Sequence, residues 1–132
     1  MAVREVLRDH GDQLRTELLT AVITTALDCA AHCTACADAC LEEGDPHLAR
    51  CIRADLDCAD ICVATAQVVA RAGASGAPWV EQLDVCAEAC ANCAAECEQH
   101  RDTHDHCRAC AAACRRCEKA CRDLARSVRQ AA

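Results

Sequence analysis

The chain has 132 residues, including 16 cysteines, one tryptophan and no phenylalanine or tyrosine. This length predicts a single domain, residues 1–132, and without aromatic rings its core must be filled by alanine, leucine, valine and cysteine. The net charge of −7 comes without a basic patch interleaved with aromatic residues, which argues against nucleic-acid binding.

The dense cysteine content has two interpretations that depend on the compartment. A cysteine fraction of about 12% exceeds the ~8–10% that marks short secreted disulfide scaffolds. Residues 1–10, however, lack the apolar stretch and cleavage site of an export signal, and the apolar runs are too short to cross a membrane. We therefore expect a cytoplasmic protein without a membrane partner, in which the thiols stay reduced and indicate metal binding.

The first part of the chain predicts a short N-terminal helix interrupted at Gly11, followed by one long helix over about 12–40. The core-facing stripe of the long helix recurs every three or four residues and changes from aliphatic to thiol. It consists of Leu14, Leu18, Val22, Thr25, Cys29, Cys33, Cys36 and Cys40. Gly44 suits the position after this helix, Asp45 the N-cap of the next helix and Pro46 its first turn.

Three further helices are predicted from the same three-and-four spacing. The second covers about 46–72, a turn at 73–78 separates it from the third, and Asp102 or Thr103 is expected to cap the fourth. The three stripes are His47, Cys51, Asp55, Cys58, Cys62, Thr65 and Val69; Leu83, Cys86, Cys90, Cys93, Cys97 and His100; and Cys107, Cys110, Cys114, Cys117, Cys121, Leu124 and Val128.

The fold class that follows is all-α, an antiparallel up-down four-helix bundle with a cysteine-lined core, because short loops make neighbouring helices antiparallel. The cysteines lie in the C-terminal halves of the first and third helices and begin in the N-terminal halves of the second and fourth. All four sets should therefore meet at one end of the bundle. The aliphatic residues expected at the other end are Leu14, Leu18, Val69, Leu83, Leu124 and Val128.

The spacing of the cysteines favours a particular metal. Side chains at i and i+4 of a helix are neighbours with Cβ atoms about 5–6 Å apart, a gap that a two-coordinate ion between two thiolates can bridge. Soft thiolates select Cu(I), zinc or iron–sulfur clusters, and zinc prefers closed sites of four ligands, so a continuous ladder favours Cu(I). The seven Cys-x-x-x-Cys pairs are 29/33, 36/40, 58/62, 86/90, 93/97, 110/114 and 117/121.

Other interpretations of the cysteines remain open from the sequence. They could be small buried hydrophobes, or could form disulfides, although pairs at i and i+4 are poorly oriented for that bond. A protein that binds zinc or other heavy metals could use the four Cys-x-x-Cys pairs as ligands. A thiol oxidoreductase would need a single nucleophilic cysteine beside a base, and no cysteine in the sequence is distinguished in this way. The four pairs are 33/36, 90/93, 107/110 and 114/117.

Several histidines and one aspartate lie near the sulfur-rich end. His100, His104 and His106 occupy the connection between the third and fourth helices, and Asp55 and His47 come from the second helix near the same end. They are either solvated polar residues or a mouth of nitrogen and oxygen ligands over the sulfur core. We expect two other histidines, His10 and His32, to lie on the surface.

With these repeated inward Cys-x-x-x-Cys pairs over residues 12–128, the chain resembles the cytosolic branch of the copper storage proteins. The resemblance implies a four-helix bundle that binds multiple Cu(I) ions per chain, assembles as a homotetramer, protects against copper toxicity without catalytic turnover and has a copper chaperone as a candidate partner. A methionine-lined route inward is not expected, because Met1 is the only methionine. The implied ligands are Cys29, Cys33, Cys36, Cys40, Cys51, Cys58, Cys62, Cys86, Cys90, Cys93, Cys97, Cys107, Cys110, Cys114, Cys117 and Cys121, with Asp55, His100, His104 and His106 at the open end.

Overall fold

The computed structural model describes residues 3–8, 13–71 and 79–131. Within these ranges the chain forms five α-helices and one short 3-10 helix, Pro46–Leu48. The helices are α1 (Val3–Arg8), α2 (Gln13–Glu43), α3 (Ala49–Ala70), α4 (Trp79–Glu98) and α5 (Asp105–Ala131). The four longer helices pack in a ring in which α2 and α4 each contact both α3 and α5, and α1 packs against α2. This arrangement confirms the predicted antiparallel four-helix bundle with a short N-terminal helix.

The connection between α2 and α3 uses the predicted residues. Gly44 adopts a left-handed conformation with φ of 67°. The Asp45 carboxylate accepts a hydrogen bond of 2.9 Å from the backbone N–H of His47. Pro46 then opens the 3-10 helix, so the α-helix itself begins three residues later than predicted.

The predicted cap of the last helix is wrong. Helix α5 begins at Asp105, and the carbonyl of His104 accepts hydrogen bonds from the backbone N–H groups of Cys107 at 3.1 Å and Arg108 at 3.3 Å. Thr103 instead donates its hydroxyl to the carbonyl of His100 at 3.2 Å. The residues between α4 and α5 therefore form turns before the helix starts. The predicted features at His10, Gly11 and 73–78 lie outside the described residues.

The aliphatic end of the core is only partly as predicted. Val69, Leu83 and Leu124 are fully buried, but Leu14 is 67% exposed. Near its start α2 instead buries Thr16 and Leu19. Helix α1 packs against α2, and its Arg4 pairs with Glu17 at 3.2 Å. The position of α1 could not be deduced from the stripe of α2.

At the sulfur-rich end, two residues differ from the predicted pattern. His47 was placed on the core-facing stripe, yet its side chain is 88% exposed because it precedes α3. Leu48 is fully buried in its place, so an aliphatic residue also closes part of the sulfur-rich end.

Helix α2 is long and apolar enough, by composition, to cross a membrane. The core helix of a bundle meets the same criterion, and here the apolar residues include the buried thiols and alanines that face α3 and α5. Of this apolar window, 39% is buried inside the bundle.

The left-handed conformation of Gly44 gives a first prediction. A Cβ at this position would meet no atom within 4 Å, so Gly44→Ala should lower the free energy of unfolding through backbone strain alone. We expect a loss of about 1–2 kcal/mol, and a smaller loss for Gly44→Asn, which tolerates this conformation better. Urea unfolding of the reduced, metal-free protein, followed by circular dichroism, measures both. Equal stability of wild type and Gly44→Ala would contradict the assigned turn.

Candidate metal centre

All sixteen cysteines are free thiols, and each is at most 1% exposed. Sulfur atoms in hydrogen-bonding contact are 3.3 to 4.0 Å apart, and these contacts link all four bundle helices. The sequence pattern predicted this inward placement correctly. Ten thiols form one network of such contacts that spans all four helices, Cys36, Cys40 and Cys107 form a second group, and Cys51 pairs with Cys97.

The deep thiols meet both along and across helices. The Cys29 sulfur lies 3.8 Å from Cys33 on the same helix, 3.8 Å from Cys58 on α3 and 3.6 Å from Cys114 on α5. Their four sulfur atoms all lie within 4.8 Å of one another, which is close enough to hold a metal ion. Each thiol can therefore share an ion with more than one neighbour. A similar group further along is Cys62, Cys86, Cys90 and Cys117.

Asp55 lies deeper than predicted. It is fully buried among thiols and does not line the open end with the histidines. Its Oδ1 accepts thiol hydrogen bonds from Cys93 at 3.1 Å, Cys110 at 3.3 Å and Cys97 at 3.6 Å. The reason is its position four residues after Cys51, on the stripe itself. Asp55 is the only ionisable oxygen ligand among the buried residues that the structure describes.

Burial also changes the acidity of these groups. Loss of solvation, reinforced by the nearby Cys110 sulfur, raises the pKa of Asp55 to about 7. Burial raises the pKa of Cys107 to about 11 and likewise raises the pKa of Cys40. In the metal-free protein at neutral pH, these outer thiols therefore keep their protons.

One histidine contacts the thiols directly. His106 Nδ1 lies 3.6 Å from the sulfurs of Cys36 and Cys107 and 3.9 Å from that of Cys40. These four residues could together hold a metal ion, and we call them the mouth cluster. The His106 side chain is 25% exposed, so the mouth cluster joins the buried thiols to the surface.

The other predicted histidines differ in their relation to this cluster. His104 packs beside His106 with ring centroids 5.2 Å apart. His100 is hydrogen-bonded only through its backbone within the described residues, and His47 pairs with Asp45 away from the thiols. His32 hydrogen-bonds the carbonyl of Asp28 on its own helix. The structure therefore brings His106 to the thiols and His104 beside His106, but not His100 or His47.

Glu43 is a residue of this site that the sequence analysis missed. Its Oε1 lies 3.6 Å from His104 Nδ1 and 3.6 Å from His106 Nε2, a nitrogen that makes no hydrogen bond within the described part of the chain. The sequence does contain a signal for this placement, because Glu43 follows Cys36 and Cys40 at the same spacing of four and three residues that marks the core-facing side of the helix. The sequence predicts an end of this helix near residue 40, whereas α2 continues through Glu43.

Comparison with known proteins places this thiol-lined bundle in a family. The model of the copper storage protein family matches residues 15–126. The chain belongs to the copper storage protein family. The match covers all sixteen cysteines as well as the mouth cluster and Asp55.

Solved structures of copper storage proteins resemble the chain over most of its length. The protein Ccsp of Streptomyces lividans, loaded with 10 copper equivalents, is 44% identical over 94% of this chain and 98% of that chain, with a TM-score of 0.83. The cytosolic copper storage protein of the same organism, with five coppers, is 45% identical over 86% of this chain and 97% of that chain, with a TM-score of 0.79.

Two relatives come from Bacillus subtilis. The apo form of copper storage protein 3 is 39% identical over 80% of this chain and 97% of that chain, with a TM-score of 0.69. The cysteine-rich protein YhjQ of strain 168 is 41% identical over 68 residues, which span 51% of this chain and 57% of that protein. The similarity to YhjQ thus covers little more than half of either sequence.

The buried carboxyl group predicts how stability depends on pH. Between about pH 4 and pH 7 the unfolded chain loses the Asp55 proton while the folded chain keeps it, so stability should fall as pH rises through this window. The contribution is on the order of 4 kcal/mol for a shift of about three pKa units. Asp55→Asn should remove this pH-dependent contribution. Urea unfolding of the reduced, metal-free protein across this pH range measures the free energy of unfolding of both proteins.

The exposed Asp57 on the same helix provides a control, since Asp57→Asn should leave the pH dependence of wild type unchanged. If the stability of wild type and of Asp55→Asn changed with pH in parallel, the buried carboxyl group would not be the source of the pH dependence.

Proposed function

We propose that this copper storage protein holds many Cu(I) ions on its sixteen core thiols in the cytoplasm and so protects the cell against copper toxicity. The single observation that carries the proposal is the burial of all sixteen thiols in one core, with ten of them in a network of sulfur contacts of 3.6 to 4.0 Å that spans all four helices. The copper-loaded Streptomyces relatives, one of them described as cytosolic, support it. We also propose that residues 1–132 form one domain.

Charge favours Cu(I) over zinc in this core. One Cu(I) that replaces one thiol proton leaves the buried charge unchanged. One Zn(II) bound by four thiolates leaves two negative charges in a low-dielectric interior, and this repeats at every site. A core of sixteen thiols with a single carboxylate therefore suits a monovalent ion better than a divalent one.

Copper capacity tests the proposal. Bridging thiolates should let the chain bind on the order of 16–20 Cu(I), with about one proton released for each thiol that becomes a ligand. Anaerobic titration against a competing Cu(I) chelator gives the number per chain, and pH-stat measurement gives the protons. Saturation near four ions, or displacement of Cu(I) by zinc, would favour the zinc or heavy-metal sponge.

We infer that copper reaches the thiols through the mouth cluster. His106 lies between the surface and three thiols, and His104 and Glu43 stand beside it. Imidazole nitrogen is a weaker Cu(I) ligand than thiolate, so the histidines should pass ions inward and contribute little to the total. Asp55 is the proposed oxygen ligand inside the core. His100 remains a predicted metal ligand, although its side chain has no thiol contact within the described residues.

Loading kinetics test this route. His100→Ala/His104→Ala/His106→Ala should slow loading or remove only the outermost ions, because the deep sites use sulfur alone. Stopped-flow transfer from a Cu(I) chelator measures the rate.

The exposed histidines supply the matched control, because His32→Ala/His47→Ala should load like wild type. A triple variant that loads at the wild-type rate with every ion retained would contradict the route. Loss of most of the copper would assign the histidines to the main store instead.

We propose storage without catalytic turnover. A histidine beside thiols could activate a nucleophile, but burial raises the pKa of Cys40 and Cys107, whereas a reactive cysteine needs a lowered pKa. The alternative, a thiol oxidoreductase, would be supported by turnover of a disulfide substrate that depends on one of these thiols. From the family resemblance we further propose a homotetramer, with a copper chaperone as the donor or acceptor of ions.

A further inference from the structure

Glu43 is the last residue of α2, and its carboxylate reaches two histidines at the start of α5. Its ion pairs in the described part of the chain are with these imidazoles. Oε1 lies 3.6 Å from His104 Nδ1 and 3.6 Å from His106 Nε2, and the two rings are 5.2 Å apart. A single oxygen atom of α2 therefore stands between both histidines at the open end of the thiol core.

The fold itself gives no reason for a carboxylate at this position. The C-terminal end of a helix carries partial negative charge, so a negative side chain there lowers stability. The last turn of α2 contains no basic residue that would offset this charge. The Glu43 side chain is also 43% exposed, so it contributes little to core packing. Its contacts with the histidines are the feature that remains to explain it.

The surroundings of His106 decide which ring nitrogen carries the proton. A neutral imidazole has one N–H group and one nitrogen with a free lone pair. His106 Nδ1 faces the sulfurs of Cys36, Cys40 and Cys107 at 3.6 to 3.9 Å. Nδ1 needs its lone pair both to accept an S–H hydrogen bond from these thiols and to bind a metal ion beside them. The ring proton therefore belongs on Nε2.

The Nε2–H group of His106 then needs an acceptor. Nε2 is buried and makes no hydrogen bond within the described residues, and a buried donor without a partner is costly. Hydrogen bonds span about 2.7–3.2 Å, so a shift of about 0.5 Å by the partly exposed Glu43 side chain would complete one. Metal-binding histidines usually donate their second N–H group to such a carboxylate, which fixes the orientation of the ring.

We propose that Glu43 is a positioning residue, which accepts the Nε2–H of His106 and holds His104 beside it, so that His106 Nδ1 stays directed at the three thiols. The inference rests on the copper route proposed above and adds the group that orients its histidines. Direct binding of copper by Glu43 is disfavoured, because Cu(I) prefers soft ligands to carboxylate oxygen. The other alternative, general attraction of cations by the negative charge, would not require the histidines.

NMR of the reduced, metal-free protein with 15N-labelled histidine tests the contact without copper. An imidazole N–H exchanges rapidly with water unless it is hydrogen-bonded. Wild type should therefore show the Nε2–H signal of His106, and Glu43→Ala should lose it. The matched control is Glu42→Ala, which removes the same charge from the neighbouring exposed residue and should keep the signal. A signal that is absent from wild type, or that survives in Glu43→Ala, would overturn the proposal.

Stopped-flow loading from a Cu(I) chelator tests the role of the contact. Loss of the partner of a metal-binding histidine lowers metal affinity or activity about 10- to 100-fold, so Glu43→Ala should load about tenfold more slowly than wild type. Glu42→Ala should load at the wild-type rate. Glu43→Gln keeps an acceptor oxygen without the charge and should recover much of the lost rate, whereas general attraction of cations would leave it as slow as Glu43→Ala. The total copper bound should not change in any of these variants.

A double-mutant cycle shows whether Glu43 acts through the histidines. In the background His104→Ala/His106→Ala, the change Glu43→Ala should slow loading no further, because the groups that it positions are gone. The same loss of rate in that background would overturn the positioning role. If His104→Ala/His106→Ala itself loads at the wild-type rate, the proposed copper route is wrong, and the Nε2–H signal decides the Glu43 contact separately.

Discussion

The structure depends on burying sixteen sulfur atoms without burying charge. A neutral thiol can be buried like a small apolar side chain, whereas a buried thiolate without a partner would be costly. Burial raises the pKa of Cys40 and Cys107, so the metal-free core can remain neutral and close-packed there. When Cu(I) replaces a proton, the charge again stays constant. A tube of thiols can therefore fill and empty with little electrostatic penalty to the fold.

Asp55 is the exception within this neutral core. Because burial raises the pKa of this carboxyl group to about 7, it exchanges its proton near neutral pH, and an arriving cation would favour its charged form. Its contacts with Cys93, Cys97 and Cys110 join α3 to α4 and α5 at one point. The same residue thus weakens the metal-free fold above about pH 4 and is the only carboxylate among the described buried residues.

Much of the fold and of the site was predictable from spacing, and the failures share a cause. The i+3 and i+4 rhythm fixed the inward direction of every cysteine and of Asp55, because these residues lie within regular helix. Errors arose where a helix ends or where another element covers it. Leu14 is exposed near the start of α2, where α1 also packs, and Glu43 reaches the histidines because α2 continues past Cys40. Neither fact is contained in the local pattern of the residues concerned.

Some of the contacts that set the register of the bundle lie outside the sulfur core. Arg115 of α5 binds the Glu98 carboxylate of α4 at 2.8 and 3.1 Å, and Arg129 binds Asp84 of the same pair of helices toward the opposite end. Such exposed pairs are individually weak, but two at separate ends fix the register of α4 against α5. The aliphatic end adds Val69, Leu83 and Leu124. Because these contacts involve no thiol, the bundle can keep its register whether the core holds protons or copper.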